Sequence, residues 1–216
     1  MMRAGARFAI LHAMKRLLDV LLVLVTLPLT LPLAAAVALA VAASMGRPVL
    51  FRQERAGRGG RPFRLLKFRT MRAGDGTDRE RTTRLGHLLR ATSLDELPQL
   101  LHVLSGRMAL VGPRPLPTAY LPRYSPAQAR RHEVRPGITG WAQVHGRNAI
   151  TWEEKFAYDV WYVDHRSLAL DAKILFLTVV AVFRRTGINA SASETMGEFK
   201  GTGPVNSRGQ TPEVRR

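Results

Sequence analysis

An uninterrupted apolar segment, VLLVLVTLPLTLPLAAAVALAVAASM, occupies residues 20–45 and contains no charged side chain. Crossing the hydrocarbon core of a bilayer takes about 20 such residues, so the segment predicts a membrane-embedded element. Pro28 and Pro32 lie near its middle, where each removes a backbone hydrogen bond from a helix, and a helix break is predicted there. A cleaved signal peptide fits less well, because the apolar part of such peptides runs to only about 15 residues.

Basic residues flank the apolar segment on both sides. Lys15 and Arg16 precede it, and a run of arginines begins at Arg47 and continues to Arg72. Positive flanks belong on the cytoplasmic side of a membrane. Both flanks obey this rule if residues 1–46 enter the membrane and return as two half-helices of about 12 residues, a re-entrant helical hairpin. A kinked spanning helix stays open as the alternative, because the rule is statistical.

The composition limits the classes of partner and site. With 216 residues, the chain has room for one ordinary domain and its extensions. We predict a helix-break-helix membrane segment at 1–46, a cytoplasmic domain at 47–185 and a disordered tail at 186–216. The formal net charge of +17 implies an anionic partner, such as nucleic acid, an acidic membrane surface or a phosphorylated ligand. The absence of cysteine excludes disulfides and thiolate metal sites, and no histidine has metal-ligand spacing.

Hydrophobic periodicity and turn residues predict a domain that is mainly α-helical with a small β-hairpin. The elements expected after the membrane segment are strands at 49–55 and 63–69, helices at 79–90, 92–104, 124–133 and 152–164, and an apolar run at 174–183. The basic amphipathic helix at 79–90 either lies on an anionic lipid surface or packs its leucines on the core, and the sequence favours neither. The proline-rich and glycine-rich stretches 112–126 and 136–147 are predicted to be irregular.

Two adjacent carboxylates, Asp95 and Glu96, lie in the stretch TSLDELPQL. Ser93 and Glu96 have the spacing of a capping box, so helix capping is one interpretation. Catalysis is the other. Pro98 has no amide proton and is tolerated near a helix start, which places both acids in the first turn, where the helix dipole favours their ionised forms. An ionised aspartate could attack phosphorus while its neighbour binds Mg²⁺ against the phosphate charge.

Phosphoryl transfer also needs cations, because negative charge spreads over the phosphate oxygens in the transition state. Arginine suits this task because its planar fork binds two phosphate oxygens at once. Arg90 lies five residues before Asp95, Arg114 stands between two prolines, and Arg147 lies in a glycine-containing turn. In a chain this basic, each of the three arginines could equally be a solvated surface charge.

Four blocks of the sequence resemble, in the same order, the signatures of the bacterial sugar transferases, the monotopic polyprenyl-phosphate phosphoglycosyl transferases. The blocks are KFRTM at 67–71, SLDELPQL at 93–100, LVGPRP at 110–115 and PGITGWAQV at 136–144. The resemblance implies a minimal form of that family, without the extra membrane domain of its larger members. It also implies a re-entrant hairpin at 1–46 and an interface-lying catalytic domain at 47–185, in contact with anionic lipid on the cytoplasmic face of the inner membrane.

The resemblance further implies a reaction. Asp95 would be the nucleophile and Glu96 its partner, with both as candidate Mg²⁺ ligands, and Arg90, Arg114 and Arg147 would bind substrate phosphates. A sugar-1-phosphate would pass from a UDP-sugar through an aspartyl-phosphosugar intermediate to polyprenyl (undecaprenyl) phosphate, releasing UMP and starting a surface glycan. The rival hypothesis is a membrane-anchored nucleic-acid-binding protein, which explains the charge but not the ordered blocks, and no nucleic acid is expected.

Three features depart from the family pattern. The family commonly has Asn where His102 stands and Ser where Ala109 stands. Both positions lie beyond the acidic pair, so we expect them to tune the site rather than abolish it. The family's helix break is often Ser-Pro, whereas Leu27 and Leu31 precede the prolines here, and this leaves the position of the bend open.

Overall fold

A computed structural model of the protein describes residues 2–146, 150–184 and 197–201. This part of the chain is mostly helical with two small two-stranded sheets, which confirms the mainly α-helical class. The α-helices are α1 (Met2–Met45), α2 (Asp78–Arg81), α3 (Arg84–Ala91), α4 (Leu100–Leu104), α5 (Pro126–Ala129), α6 (Trp141–His145), α7 (Trp152–His165) and α8 (Leu168–Arg184). The strands are β1 (Leu50–Ala56), β2 (Pro62–Phe68), β3 (Ala109–Val111) and β4 (Gly137–Thr139). Short 3-10 helices span Arg58–Gly60, Leu94–Gln99, Thr118–Arg123 and Arg130–Glu133.

Helix α1 does not show the predicted break. It runs unbroken from Met2 to Met45 with Pro28 and Pro32 inside it, so the two half-helices of a re-entrant hairpin are not confirmed. A proline removes one hydrogen bond and can kink a helix without ending it. Unpaired backbone groups are costly in apolar surroundings, which favours keeping the remaining helical bonds.

One face of α1 packs along the rest of the domain. Asp19, Val23, Val37 and Val41 are buried and recur at multiples of the helical repeat, so they form one stripe. The other faces are apolar and exposed, Leu29 among them. By length and composition, the stretch Ile10–Met45 could cross a membrane. An exposed apolar surface of this extent is consistent with membrane association.

Both ends of the apolar segment contact the same domain. At the N-terminal end, Lys15 Nζ lies 2.5 Å from Asp171 Oδ2 in α8. At the C-terminal end, the Arg69 guanidinium donates a hydrogen bond to the Met45 carbonyl. Residues 15 and 45 would be about 45 Å apart along a straight helix at 1.5 Å per residue, which exceeds the thickness of a bilayer core. Because one domain contacts both ends, α1 lies along this domain over most of its apolar length.

The basic residues on both sides of the apolar segment predict that single cysteines at Ala4 and Ser44 face the same, cytoplasmic side. The chain has no cysteine of its own, so labelling has no background. Neither position should react with an impermeant maleimide in intact cells, and both should react after permeabilisation. A cysteine at the exposed residue Ala73 is the control for the domain and should follow the same pattern. Labelling of only Ala4 or only Ser44 from outside would show that α1 spans the bilayer.

The predicted β-hairpin is confirmed with a shift of one residue. Strands β1 and β2 pair antiparallel from Leu50 opposite Phe68 to Ala56 opposite Pro62. The helix predicted at 79–90 is instead the two helices α2 and α3. They separate at Thr83, whose side chain accepts a hydrogen bond from the Gly86 amide and so caps α3.

One leucine of α3 packs on the core, and another is exposed. Leu89 is buried in a cluster with Phe68, Val37 and Val41, whereas Leu88 is exposed. This helix therefore packs on the core and on α1 through Leu89 and exposes Leu88.

A parallel pair of short strands was missed by the sequence analysis. Strands β3 and β4 pair at Ala109 opposite Gly137 and at Val111 opposite Thr139, and α6 follows β4, so the prediction of an irregular stretch at 136–147 was wrong in part. A Cβ atom on Gly137 would lie 2.1 Å from the Gly112 backbone nitrogen. Only glycine permits this approach, which places the LVGPRP and PGITGWAQV blocks side by side.

Helices α7 and α8 cover this strand pair. Helix α7 confirms the predicted helix at 152–164, the apolar run at 174–183 lies within α8, and the helix predicted at 124–133 is the short α5 followed by a 3-10 helix. The core beneath them consists of Val111, Val134, Trp141, Tyr162, Val163 and Ile174. The Tyr162 hydroxyl donates to Asp171 Oδ1 at 2.7 Å, which connects this core to the contact with Lys15 of α1.

Part of the segment predicted to be disordered packs against the domain. Residues 197–201 are described, and Phe199 is 2% exposed. Residues 186–196 and 202–216 of the predicted tail lie outside the described residues, so the prediction for them stays a prediction.

Candidate active site

The acidic pair lies in the 3-10 helix Leu94–Gln99, between α3 and α4. Ser93 precedes it with φ 57, a left-handed conformation that is uncommon outside glycine, and its side chain makes no capping hydrogen bond. The capping-box interpretation is therefore wrong. A backbone held in such a region costs about 1–3 kcal/mol and is characteristic of functional sites. Ser93 therefore precedes the acidic pair without capping the helix that carries it.

Two cations converge on one oxygen of Glu96. Lys67 Nζ lies 2.6 Å and Arg114 Nη2 lies 2.7 Å from Oε1, and the Glu96 side chain is only 12% exposed. Burial by itself raises the pKa of Glu96, but the charges of Arg114 and Lys67 outweigh it and lower the pKa to about 2. Glu96 is therefore ionised, and both ion pairs leave its second oxygen, Oε2, unused.

Asp95 has a different environment from its neighbour. Its side chain is 9% exposed, and Lys67 Nζ lies 3.6 Å from Oδ2, beyond hydrogen-bond distance. Burial raises the pKa of Asp95, and the charges of Lys67, Arg114 and Arg90 oppose this rise while Glu96 adds to it. Neighbouring carboxylates in unlike environments are suited to unlike roles. Glu96 is held by two short ion pairs, whereas Asp95 makes only a longer ion pair with Lys67.

The remaining predicted site residues differ in how closely they approach the pair. Arg114 binds Glu96 directly. Arg90 of α3 donates from Nε to Thr70 Oγ1 at 3.0 Å, so it reaches the pair through its charge rather than through a hydrogen bond. Arg147 lies outside the described residues, and its predicted role stays a prediction.

Backbone contacts fix the segment that carries Arg114. The Gly137 amide donates to the Pro113 carbonyl at 3.0 Å, immediately before Arg114. Arg131 then donates from Nη2 to the Arg114 carbonyl at 2.7 Å. Arg131 is in turn held by Asp159 Oδ2 at 2.7 Å, and both side chains of this pair are 1% exposed. The guanidinium of Arg114 thus projects toward Glu96 from a backbone that is held on both sides.

Several of these residues were not singled out from the sequence. Lys67 lies in the KFRTM block, which carries the family resemblance but does not by itself mark the lysine as a site residue. Arg131 and Asp159 are 28 residues apart in sequence, and nothing local marks them as partners. Lys155 of α7 is buried, and burial together with nearby Arg114 lowers its pKa to about 8. The site is therefore richer in buried cations than the three predicted arginines.

Two of the three departures from the family pattern, His102 and Ala109, are buried in the core. His102 is buried, and its Nε2 accepts a hydrogen bond from the Leu66 amide of β2 at 3.2 Å, next to Lys67. Ala109 is fully buried at the start of β3. His102 thus supports the strand that presents Lys67.

The acidic pair fits Mg²⁺ that is shared with a substrate. Among residues 2–146, 150–184 and 197–201, no group of three or more His, Cys, Asp or Glu side chains could hold a metal ion by itself. Mg²⁺ is, however, commonly bound by one or two carboxylates together with substrate phosphates and water. Asp95 and Glu96 provide two adjacent carboxylates, and Oε2 of Glu96 is not used by Lys67 or Arg114. This donor set suits a metal ion that arrives with a phosphorylated substrate.

Comparison with known proteins identifies the family. The family model described as bacterial sugar transferase matches residues 10–185. The uncharacterized sugar transferase EpsL of Bacillus subtilis is 50% identical over 200 residues, which cover 90% of this chain and 99% of that protein. The chain belongs to the bacterial sugar transferase family, as the four sequence blocks indicated.

Relatives with named activities are similar over a smaller part of their length. The UDP-glucose:undecaprenyl-phosphate glucose-1-phosphate transferase of Caulobacter vibrioides is 48% identical over 148 residues, covering 61% of this chain and 55% of that protein. The UDP-N-acetylgalactosamine-undecaprenyl-phosphate N-acetylgalactosaminephosphotransferase of Aeromonas hydrophila is 39% identical over 192 residues, covering 82% and 44%. The chain thus spans nearly all of the Bacillus protein but about half of these two transferases.

Proposed function

We propose that this protein transfers a sugar-1-phosphate from a UDP-sugar to undecaprenyl phosphate, releasing UMP and starting a surface polysaccharide or glycoconjugate. The observation that carries the proposal is the acidic pair itself: buried Asp95 lies beside Glu96, whose charge Lys67 and Arg114 already balance. The relatives from Caulobacter and Aeromonas, which are named for such transfers, support the choice of donor and acceptor.

The reaction has two halves, both at the phosphorus that carries the sugar. In the first, a carboxylate oxygen of Asp95 attacks this phosphorus, the new oxygen–phosphorus bond forms, and UMP leaves with the electrons of the broken bond. In the second, an oxygen of undecaprenyl phosphate attacks the same phosphorus, and Asp95 leaves as a free carboxylate. An ionised aspartate can serve as both nucleophile and leaving group, which makes the two halves chemically alike.

The cations around the pair would balance the charge that develops on the phosphate oxygens. The Arg114 side chain is 36% exposed, so part of its fork is accessible to a substrate while Nη2 binds Glu96. Lys67 lies between the two carboxylates and would hold Asp95 ionised. Mg²⁺ bound by Glu96 and Asp95 would add a further positive charge at the diphosphate.

The acceptor is a lipid, so the site has to lie near a membrane. The exposed apolar faces of α1 would enter the cytoplasmic leaflet of the inner membrane, and the net positive charge would favour anionic lipid beside it. This placement gives undecaprenyl phosphate access to the site from the lipid side while the UDP-sugar arrives from the cytosol.

A panel of UDP-sugars tests the proposal. Purified protein with undecaprenyl phosphate and Mg²⁺ should release UMP with at least one UDP-sugar, and chelation of Mg²⁺ should stop the release. The rival hypothesis of a nucleic-acid-binding protein predicts tight, strongly salt-dependent binding to duplex DNA instead. Such binding without UMP release from any sugar would overturn the proposal.

Arg114→Lys tests whether the fork of Arg114 binds substrate as well as Glu96. A lysine can retain the ion pair with Glu96, but a single ammonium cannot bind the carboxylate and a phosphate as the planar fork does. We expect turnover to fall about tenfold or more, equivalent to about 1.4 kcal/mol. Arg130→Lys, in an exposed ion pair with Asp164, is the matched control and should keep normal turnover. Unchanged turnover in Arg114→Lys would reduce Arg114 to a structural partner of Glu96.

A further inference from the structure

A short C-terminal segment, residues 197–201, packs against the domain. Phe199 lies among four aromatic rings, whose centroids are 4.9–5.7 Å from its own. We call residues 197–201 the C-terminal strap and the four rings the aromatic cage. The cage consists of Tyr120, Tyr124, Trp152 and Phe156.

Polar contacts hold the strap in addition to the aromatic packing. Trp152 donates from Nε1 to the Gly197 carbonyl at 3.0 Å, and the Phe199 amide donates to the Tyr120 hydroxyl at 3.3 Å. Arg123 donates to the Phe199 carbonyl at 2.5 Å and binds Glu198 at 2.6 Å. Backbone and side-chain contacts therefore fix the strap in one place. The packing of Phe199 is thus one of several contacts that hold this segment.

The cage joins the two parts of the chain that supply cations to the site. Tyr120 belongs to the 3-10 helix Thr118–Arg123, which follows the Arg114 segment, and Trp152 and Phe156 belong to α7. Lys155 lies between these last two residues in sequence, and its Nζ is 5.0 Å from the centre of the Trp152 ring. The strap thus bridges the Arg114 segment and α7 from the outside.

A continuous chain of contacts leads from the strap to the acidic pair. The Arg131 guanidinium lies 5.6 Å from the Phe156 ring centre and 5.9 Å from that of Tyr124, and both rings contact Phe199. Arg131 donates to the Arg114 carbonyl, and Arg114 binds Glu96. Each link is a direct contact, so a change in the packing of the cage would reach the backbone of Arg114.

We propose that the C-terminal strap is a positioning element of the active site, in which Phe199 packs the aromatic cage against Arg131 and so holds Arg114 at Glu96. This inference rests on the proposed function for its link to turnover. Phe199 touches no reacting atom, and its effect passes through Arg114.

A double-mutant cycle separates positioning from general stability. Phe199→Ala should lower kcat about tenfold at a temperature where the variant is folded, because removing the ring leaves the cage loose behind Arg131. In an Arg114→Lys background the same substitution should cost less than about twofold, because the group that it positions is already impaired. Phe199→Leu, which keeps most of the apolar volume, should restore much of the activity. Lys200→Ala, at an exposed strap residue, is the control and should be neutral.

A second measurement follows Arg114 without turnover. Phenylglyoxal modifies accessible arginines, and its rate at Arg114 can be measured by peptide mass spectrometry, with exposed Arg52 as the internal reference. Phe199→Ala should raise the rate at Arg114 severalfold relative to Arg52. An equal kcat loss in both backgrounds, no loss at all, or an unchanged rate at Arg114 would each overturn the positioning role. If the unmodified protein releases no UMP from any UDP-sugar, the proposed function fails, and the modification rate still decides the role of the strap.

Discussion

Asp95→Asn is expected to reduce turnover by roughly 10³-fold or more, on the scale of other enzymes that lose their nucleophile. The amide has nearly the shape of the carboxylate but cannot form the acyl phosphate. The variant should fold, because burial already disfavours the charged form of Asp95 and raises its pKa, so a neutral side chain of the same size is tolerated. Lys67 keeps its closer partner, Glu96, in this variant.

The two halves of the reaction can be tested apart. Unmodified protein given a UDP-sugar and Mg²⁺ without lipid should release at most one UMP per site and gain the mass of a phosphosugar on the peptide that contains Asp95. Asp95→Asn should show neither. Asp164→Asn removes a carboxylate from an exposed ion pair with Arg130 and should form the adduct normally. Wild-type turnover in Asp95→Asn would show that the acidic pair does not act as proposed.

Local patterns in the sequence were sufficient for the elements that are themselves local. The apolar run at 20–45 predicted a membrane-type helix, and two short stretches rich in Val, Leu and Phe on either side of a glycine-rich turn predicted the hairpin of β1 and β2. The break at Pro28 was not found, because a proline costs a helix one hydrogen bond, whereas the surroundings decide whether the helix ends there. Strands β3 and β4, with three residues each, are too short to show a period.

The candidate site was predictable as far as its residues stand out in local sequence patterns. Asp95, Glu96 and Arg114 were found in this way, and the structure brings them together. The capping interpretation failed because the left-handed backbone of Ser93 depends on packing rather than on spacing. Arg131 and Asp159 form their buried pair only after the chain has folded, so neither the pair nor its hydrogen bond to Arg114 has a local signal. The packing of the strap was not predicted for the same reason, because residues 186–216 have the composition of a disordered segment.

Glu96→Gln is expected to raise the Mg²⁺ concentration that turnover requires and to lower the stability of the fold, and the two effects can be measured separately. Arg114 and Lys67 lower the pKa of Glu96 from 4.5 to about 2 against the opposing effect of burial. A carboxylate whose pKa is lower in the folded state stabilises the fold above its unfolded pKa, and this stabilisation is lost as the pH falls from about 4.5 to about 2. The shift corresponds to about 3 kcal/mol near neutral pH, and glutamine cannot supply this stabilisation. We therefore expect a lower melting temperature for Glu96→Gln in detergent.

The Mg²⁺ dependence then distinguishes a metal ligand from a structural ion pair. Asp171→Asn is the matched control, because Asp171 is as buried as Glu96 and also binds a lysine, but it lies away from the acidic pair. Both variants should melt earlier, and both are assayed well below their melting temperatures. Asp171→Asn should keep the wild-type midpoint for Mg²⁺. A loss of stability lowers the number of folded molecules and so the total rate, but it does not change the Mg²⁺ affinity of those that are folded. Glu96→Gln should need about tenfold or more Mg²⁺ at the midpoint, as expected when one ligand of about 1.4 kcal/mol is lost. An unchanged midpoint with turnover similar to that of Asp171→Asn would show that Glu96 serves only to hold Lys67 and Arg114.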